Sequence, residues 1–194
     1  MRVLVVYAHP VETSFVAALR AQVVDALRAR GHQVDDCDLN GEGFDPVMSR
    51  QERINYHNKA INRAPVAPYV ERLLDAEALV LVFPVWNYGF PAFLKGFVDK
   101  VFLPGVSFEL AADGSYTTTL RNIRKLAAVC TYGGSRLRTI LMGDPPRRVV
   151  KRSLRLLVSP RASCDYLAHY DMNRTNPERR ARFLSEVRRA FEAW

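Results

Sequence analysis

The sequence predicts an α/β protein with a doubly wound parallel sheet of five strands, in the order 2-1-3-4-5, and helices on both faces. Short, unbroken apolar runs alternate along the chain with longer segments in which apolar residues recur every three or four positions. Runs without polar interruption are typical of strands that are covered on both sides, as in parallel sheets. Because crossovers between parallel strands are right-handed, this alternation places helices on both faces of one sheet.

The first part of the chain contains two strands and two helices. Leu19, Val23 and Leu27 repeat at four-residue spacing, which indicates a helix with one buried face, and Gly31 suits its C-terminal cap. No periodic pattern is visible between the second strand and the second helix. The predicted elements are, in order, a strand at 2–8, a helix at 14–30, a strand at 32–39, an irregular connection at 40–65 and a helix at 68–75.

The second part continues the alternation after one insertion. The apolar run 78–83 is the third strand, and Pro91 is well placed in the first turn of a helix that reaches Phe102. The stretch 103–122 holds two β-prone pieces on either side of Asp113-Gly114, a dipeptide typical of hairpin turns. The remaining predicted elements are a strand at 123–131, a helix at 147–158, a strand at 162–170 and a helix at 177–194.

Composition and length are those of one globular domain covering residues 1–194. The chain is 48% hydrophobic and 25% charged, and no linker or repeat divides it. We expect a cytoplasmic protein without membrane insertion, since no apolar stretch reaches about twenty residues and the N-terminal run is too short for a signal peptide. Three cysteines without metal-ligand spacing are predicted to be buried thiols, and no metal site is predicted.

The positive charge is concentrated in the last third of the chain. The net charge is +8, and residues 136–194 hold 14 Lys and Arg against 6 Asp and Glu. One interpretation is a solvated helix face, and the other is attraction of an anionic partner such as a nucleotide phosphate. Nucleic acid is not predicted as a partner, because no nucleic-acid motif is visible and aromatic residues are not interleaved with the arginines.

Three loops follow strands one, three and four, and therefore meet at the carboxyl edge of the sheet, where open α/β sheets bind ligands. The first loop, 9–15, places the hydroxyls of Thr13 and Ser14 at the start of a helix, close to the imidazole of His9. A helix N-terminus with such groups suits an anion. The alternative is that Ser14 only caps the helix.

The second and third loops carry aromatic rings and glycines. In 84–91, the sequence Trp86-Asn87-Tyr88-Gly89 lies between two prolines, which suits a planar, partly apolar ligand in a stiff frame. The alternative interpretation of the loop 84–91 is a hydrophobic turn without a ligand. In the third loop, after the strand ending at 131, Gly133 permits close backbone approach, and Tyr132 is a candidate proton donor or a stacking residue.

Together these segments resemble the flavodoxin-like NAD(P)H:quinone oxidoreductases. The most specific motif is at 83–102, with the order Phe-Pro-x-x-x-x-Gly-x-Pro-Ala-x-Leu-Lys-Gly-x-x-Asp-Lys-Val-Phe. The resemblance covers residues 2–135 well and the rest loosely. The Trp86-Asn87-Tyr88 version of the loop is also similar to FMN-dependent azoreductases, which carry an asparagine there.

The resemblance implies an NAD(P)H-dependent flavin oxidoreductase that passes a hydride from nicotinamide to flavin and then two electrons to a quinone, nitro or azo acceptor. It implies FMN, with FAD as the alternative, and a homodimer with the site at its interface. The matched cofactor residues are His9, Thr13, Ser14 and Phe15 at the phosphate, Pro84, Val85, Trp86, Asn87 and Tyr88 at the ring edge, and Thr131, Tyr132, Gly133 and Gly134 at the pyrimidine end.

The sequence also departs from this family. No histidine follows the glycine loop, Tyr132-Gly133-Gly134-Ser135, so the resemblance does not extend to the charge relay of the mammalian quinone reductases. Val16 stands where an asparagine often helps to hold an FAD diphosphate. Two alternative functions remain open, namely an electron carrier of the flavodoxin type and a regulatory subunit of a membrane transporter. Four arginines of the basic last third are candidates for contact with the NADPH phosphate or with the second flavin phosphate. They are Arg136, Arg138, Arg147 and Arg148.

Overall fold

Five parallel strands form the central sheet of the computed structural model, which describes residues 1–194. The strands are β1 (Arg2–Tyr7), β2 (Gln33–Asp38), β3 (Ala78–Val85), β6 (Lys125–Tyr132) and β7 (Ser163–His169). Their order in the sheet is β2-β1-β3-β6-β7, and every neighbouring pair is parallel. The predicted order 2-1-3-4-5 is therefore confirmed.

Helices cover both faces of this sheet, and a small antiparallel hairpin, β4 (Phe108–Leu110) with β5 (Tyr116–Thr118), forms the predicted insertion. None of the helices is both long and apolar enough to cross a membrane. The α-helices are α1 (Phe15–Ala29), α2 (Arg50–Asn55), α3 (Ala67–Asp75), α4 (Ala92–Val101), α5 (Arg136–Leu141), α6 (Pro145–Arg148), α7 (Arg155–Leu157) and α8 (Pro177–Glu192).

Two apolar cores lie on opposite faces of the sheet. The smaller core contains residues of α1 and α8, and the larger contains residues of α3, α4 and the helical segment 145–157. All eight residues of β3 are buried, which explains why its sequence shows no polar alternation. Full burial of a Val, Leu or Phe side chain contributes about 1.5–3 kcal/mol, so these two cores dominate the stability of the fold.

Several predicted boundaries are wrong. The third strand extends through Val85 instead of ending at Phe83, and the fourth runs from Lys125 to Tyr132. The segment predicted as one helix at 147–158 starts at Pro145 and is π-helical over Val149–Leu154. Helix α5 was not predicted, because its six residues are too few to show a period.

The connection 40–65 is also more regular than predicted, because it contains α2. Ser49 and Glu52 form a reciprocal capping box at the start of this helix, a pattern that is visible in the sequence. The buried Lys100 of α4 holds the connection in place. Its Nζ donates to the carbonyl oxygens of Asp45 and Val47, at 2.9 and 3.0 Å, and pairs with Glu52 at 3.0 Å.

The cysteines are free thiols in or near the core. Cys37 and Cys130 are buried, as predicted, while Cys164 is only half-buried. Burial raises the pKa of the Cys37 and Cys130 thiols to about 12. Both side chains are therefore protonated at neutral pH and unreactive as nucleophiles.

The packing of α4 on the 40–65 connection depends on Gly96. An added Cβ at this position would lie 2.5 Å from the Cα atom of Pro46, a backbone atom that cannot rotate away. We expect Gly96→Ala to lower the free energy of unfolding by about 1–3 kcal/mol through overpacking, measured by urea denaturation. The control Lys95→Ala changes the neighbouring exposed position and should cost less than about 0.5 kcal/mol. Equal stability of Gly96→Ala and the wild type would contradict this assignment.

Candidate functional site

The first loop ends in a helix N-terminus with free donors. Ser14 is the N-cap of α1, and its Oγ accepts a hydrogen bond from the backbone N–H of Ala17 at 3.1 Å. The backbone N–H groups of Phe15 and Val16 have no acceptor in the protein. Since α1 is 15 residues long, its dipole adds partial positive charge at this end. The loop is therefore suited to an anion, and Ser14 also acts as the predicted cap.

His9 lies beside this helix end as a neutral donor. Its Nδ1 accepts the backbone N–H of Val11 at 3.0 Å, which leaves the proton of the neutral ring on Nε2. Burial lowers the pKa of His9 below its usual value, so the ring is uncharged at neutral pH. An uncharged ring with a proton on Nε2 can donate a hydrogen bond but adds no net charge.

The second loop is a tight turn with an unusual backbone. Trp86 and Gly89 exchange two backbone hydrogen bonds, at 3.3 and 2.8 Å, and the residues between them, Asn87 and Tyr88, have φ values of 47° and 57°. Two successive positive φ values are typical of a type I′ turn. Left-handed backbone costs roughly 1–2 kcal/mol for a residue such as tyrosine, and strained positions of this kind cluster at functional sites. The turn leaves Trp86 47% exposed at the edge of the sheet.

The third loop supplies further unpaired backbone donors. The N–H groups of Gly133 and Gly134 have no acceptor in the protein, whereas the Gly134 carbonyl accepts the N–H of Asp171 at 2.8 Å. This bond fixes the loop against the segment that follows β7. The N–H groups of Asn87 and Tyr88 in the second loop are unpaired as well.

The structure brings the three loops together. The ring centroids of His9 and Trp86 are 5.7 Å apart, which joins the first loop to the second. The Tyr88 hydroxyl lies 3.7 Å from the position that a Cβ on Gly134 would occupy, which joins the second loop to the third. The site therefore combines an exposed indole, a neutral imidazole and unpaired N–H groups on three loops. Such a surface can hold a flat ring that carries hydrogen-bond acceptors together with an anionic group.

Not every predicted site residue faces this opening. Pro84 and Val85 are buried residues of β3, so the loop begins at Trp86 and not at Pro84. The ring of Phe15 packs on His169 and Phe183, at 5.6 and 6.5 Å between centroids, and its backbone N–H is unpaired. Thr13 is exposed in the first loop, and Thr131 is a buried residue of β6.

The prediction of Tyr132 as a proton donor disagrees with the geometry. Its side chain is 1% exposed, and its hydroxyl donates to Asp144 Oδ1 at 2.6 Å and lies 2.6 Å from the Tyr166 hydroxyl. Burial raises the pKa of Tyr132. The hydroxyl thus has protein partners and lies below the loop surface, which favours a structural role over proton donation.

Sequence reasoning did not find the polar network below this loop. Arg147 donates to Asp144 Oδ2 and to the Tyr170 hydroxyl, both at 2.9 Å, and its guanidinium lies 4.3 Å from the centre of the Tyr166 ring. The rings of Tyr132 and Tyr170 stack at 4.7 Å. Only the αL turn at Gly143-Asp144 has a local signal in the sequence, because the other partners come from distant segments.

The position of these loops places the chain among the doubly wound α/β proteins that bind their ligands at the carboxyl edge of the sheet. The chain belongs to the flavodoxin-like fold family, whose model matches residues 1–150. Within that family it belongs with the NAD(P)H oxidoreductases, as its relatives show. No group of three or more His, Cys, Asp or Glu side chains is placed to hold a metal ion.

The first of two similar relatives shows this membership. The chain is 32% identical to the uncharacterized NAD(P)H oxidoreductase YcaK of Escherichia coli strain K12 over 143 residues, which cover 73% of this chain and 69% of the relative. It is 30% identical to NAD(P)H dehydrogenase (quinone) 1 of Cavia porcellus over 150 residues, which cover 69% of this chain and 54% of the relative. The chain thus matches only about half the length of the second relative.

A solved structure shows the same fold at low identity. An FMN-dependent NADH-azoreductase from Bacillus anthracis strain Ames Ancestor, in complex with FMN, superposes with a TM-score of 0.80. It shares 15% of residues, and the match covers 99% of this chain and 98% of the azoreductase.

The structural role of Tyr132 is testable by removing its hydroxyl. Tyr132→Phe is expected to lower the free energy of unfolding by about 1–3 kcal/mol, because Asp144 and Tyr166 lose a buried hydrogen-bond partner. Turnover of NADPH with a quinone should stay within about threefold of wild type, since a general acid would contribute roughly a hundredfold or more. The control is Tyr116→Phe, at an exposed tyrosine of the hairpin. A fall in kcat of about a hundredfold at unchanged flavin content would show that Tyr132 is the proton donor.

Proposed function

We propose that this chain is an NAD(P)H-dependent flavin oxidoreductase that reduces a quinone or a similar nitro or azo compound. The observation that carries the proposal is the meeting of an exposed indole with unpaired backbone donors on all three loops. When bound, the flavin supplies the redox chemistry, taking a hydride from NAD(P)H and delivering two electrons to the acceptor. The protein binds and orients both partners and stabilises charge.

The first loop is proposed to hold the flavin phosphate. The free N–H groups of Phe15 and Val16 and the positive end of α1 favour a bound anion. The exposed hydroxyl of Thr13 and the proton on His9 Nε2 add donors from the same loop. No cationic side chain is needed here, because charge-assisted hydrogen bonds from backbone N–H groups are strong.

The other two loops are proposed to hold the ring. Trp86 forms an apolar wall, and the turn at Asn87 and Tyr88 presents two free N–H groups. The N–H groups of Gly133 and Gly134 have no acceptor in the protein and would stabilise negative charge on the reduced ring. These donors are fixed before any ligand binds, which is the condition for electrostatic stabilisation.

FMN is the proposed cofactor, with FAD as the alternative. The FMN-containing azoreductase has the same fold, and Val16 offers no side-chain donor for a second phosphate. NADH and NADPH are both proposed as hydride donors.

A homodimer is also proposed. An exposed apolar patch lies on α5 and directly after it, next to the glycine loop, and exposed patches of this kind mark interaction sites. Its residues are Leu137, Ile140, Leu141 and Met142, which are 55–73% exposed.

A visible absorption spectrum tests the proposed function. Protein supplied with FMN and then freed of excess cofactor is expected to show the bands of bound flavin. Anaerobic NADPH should bleach these bands, and a quinone should restore them. A protein that stays colourless after both FMN and FAD are offered would refute the proposal. A coloured protein that NADPH does not bleach would instead indicate an electron carrier or a binding subunit.

The wall formed by Trp86 gives a second prediction. Trp86→Ala is expected to weaken FMN binding about tenfold, about 1.4 kcal/mol, because the ring loses an aromatic contact. Fluorescence titration of the apoprotein with FMN measures this change. Tyr116→Ala removes an aromatic side chain that is exposed on the hairpin and should leave the affinity unchanged. Unchanged affinity in Trp86→Ala would remove this residue from the site.

A further inference from the structure

Outside the candidate site, a cavity lined by cations lies beyond the glycine loop. Its volume is about 430 Å³, and it lies between α5 and the helical segment 145–157. This size is that of a small-molecule site and exceeds the need of one phosphate group. The charged residues in its wall are Arg136, Asp144, Arg147, Arg148, Lys151 and Arg152.

Most of this positive charge is uncompensated. Arg147 pairs with Asp144, but the other four cations have neither an ion pair nor a side-chain hydrogen bond within the protein. The cleft of about 580 Å³ beside α1 is different, because its Arg20 is held by Asp36 and Asp38 at 2.8 and 2.6 Å. Four unpaired cations around one cavity produce a strong local positive potential, which attracts anions.

The cavity has a rigid base. Arg147 is held by Asp144, by the Tyr170 hydroxyl and by the ring of Tyr166. The π-helical turn Val149–Leu154 carries Lys151 and Arg152, and π-helical turns occur frequently at functional sites. The positive φ of Gly143, 82°, shapes the turn before α6. The side chain of Arg148 packs on this turn, with its Nη1 3.7 Å from the position that a Cβ on Gly143 would occupy.

The cavity adjoins the proposed flavin site. Arg136 follows the glycine loop directly in the first turn of α5. Tyr170, in the cavity wall, precedes Asp171, whose N–H binds the Gly134 carbonyl at 2.8 Å. A molecule of dinucleotide size that extends from the glycine loop toward α5 can therefore reach these cations.

We propose that this cavity binds a phosphoryl group of a dinucleotide used at the neighbouring site. The inference rests on the proposed function. Guanidinium groups bind phosphate through paired hydrogen bonds, and several of them around one cavity favour a phosphomonoester or a diphosphate over a carboxylate. NADPH carries such a group at its 2′-phosphate, whereas the FAD diphosphate belongs at the first loop, where the flavin phosphate is proposed to lie.

The direct test is calorimetric titration of the whole protein with inorganic pyrophosphate at low salt. Wild type is expected to bind, and the double variant R148E/K151E to bind about tenfold more weakly or not at all. R182E/R189E makes the same charge change at exposed positions of α8 and should bind like wild type. The milder variant R148Q/K151Q serves if charge reversal impairs folding. Absence of binding by wild type, or equal binding by the cavity variants, overturns the proposal.

A second test compares the two nicotinamide dinucleotides. R148E/K151E is expected to raise KM for NADPH about tenfold while KM for NADH stays constant. Equal changes in both KM values, or no change in either, overturn the assignment to the 2′-phosphate. Pyrophosphate binding that depends on Arg148 and Lys151, in a protein that binds no flavin, would instead refute the proposed function and leave the anion site standing.

Discussion

The pairing of β3 with β6 is the constraint on which the candidate site depends. The two strands are in register over eight residues, from Ala78 with Lys125 to Val85 with Tyr132, so both end at the same level. The residues that follow, Trp86 and Gly133, therefore start their loops side by side. Pairing of Tyr7 in β1 with Val82 in β3 brings the first loop to the same edge. Because apolar packing on both faces fixes this register, the stability of the cores and the geometry of the site have one origin.

The fold was predictable because its signal is local and repeated. Strand β3 is apolar throughout, β1 is apolar after Arg2, and the long helix α1 has its own period, so the order of elements and the sheet order follow from pattern and handedness. The convergence of the three loops follows from the same topology. Side-chain direction at strand ends was not predictable in the same way. Extending β6 by one residue, to Tyr132, puts this side chain on the same face as Cys130 and in the larger core, and its partners come from distant segments.

The cations of the basic last third lie in two different settings. Arginines of α8 such as Arg182 and Arg189 are exposed on its solvent side, as expected of a solvated helix face. The cations near Gly143 surround a cavity instead. Composition alone could not separate these cases, because the difference depends on a break in helical geometry between α6 and α7 and on a network that joins β6 to β7.

The type I′ turn at Trp86–Gly89 is complete without a ligand, since its two hydrogen bonds are internal to the backbone. The chain entropy that ordering this turn costs is therefore lost during folding and not during binding. Binding at a preorganised wall needs no closing step, so its rate is set by encounter and orientation rather than by loop motion. Glycine or asparagine in place of Tyr88 would relieve the strain of the left-handed backbone, but either replacement would remove the hydroxyl that lies beside Gly134 and links the second loop to the third.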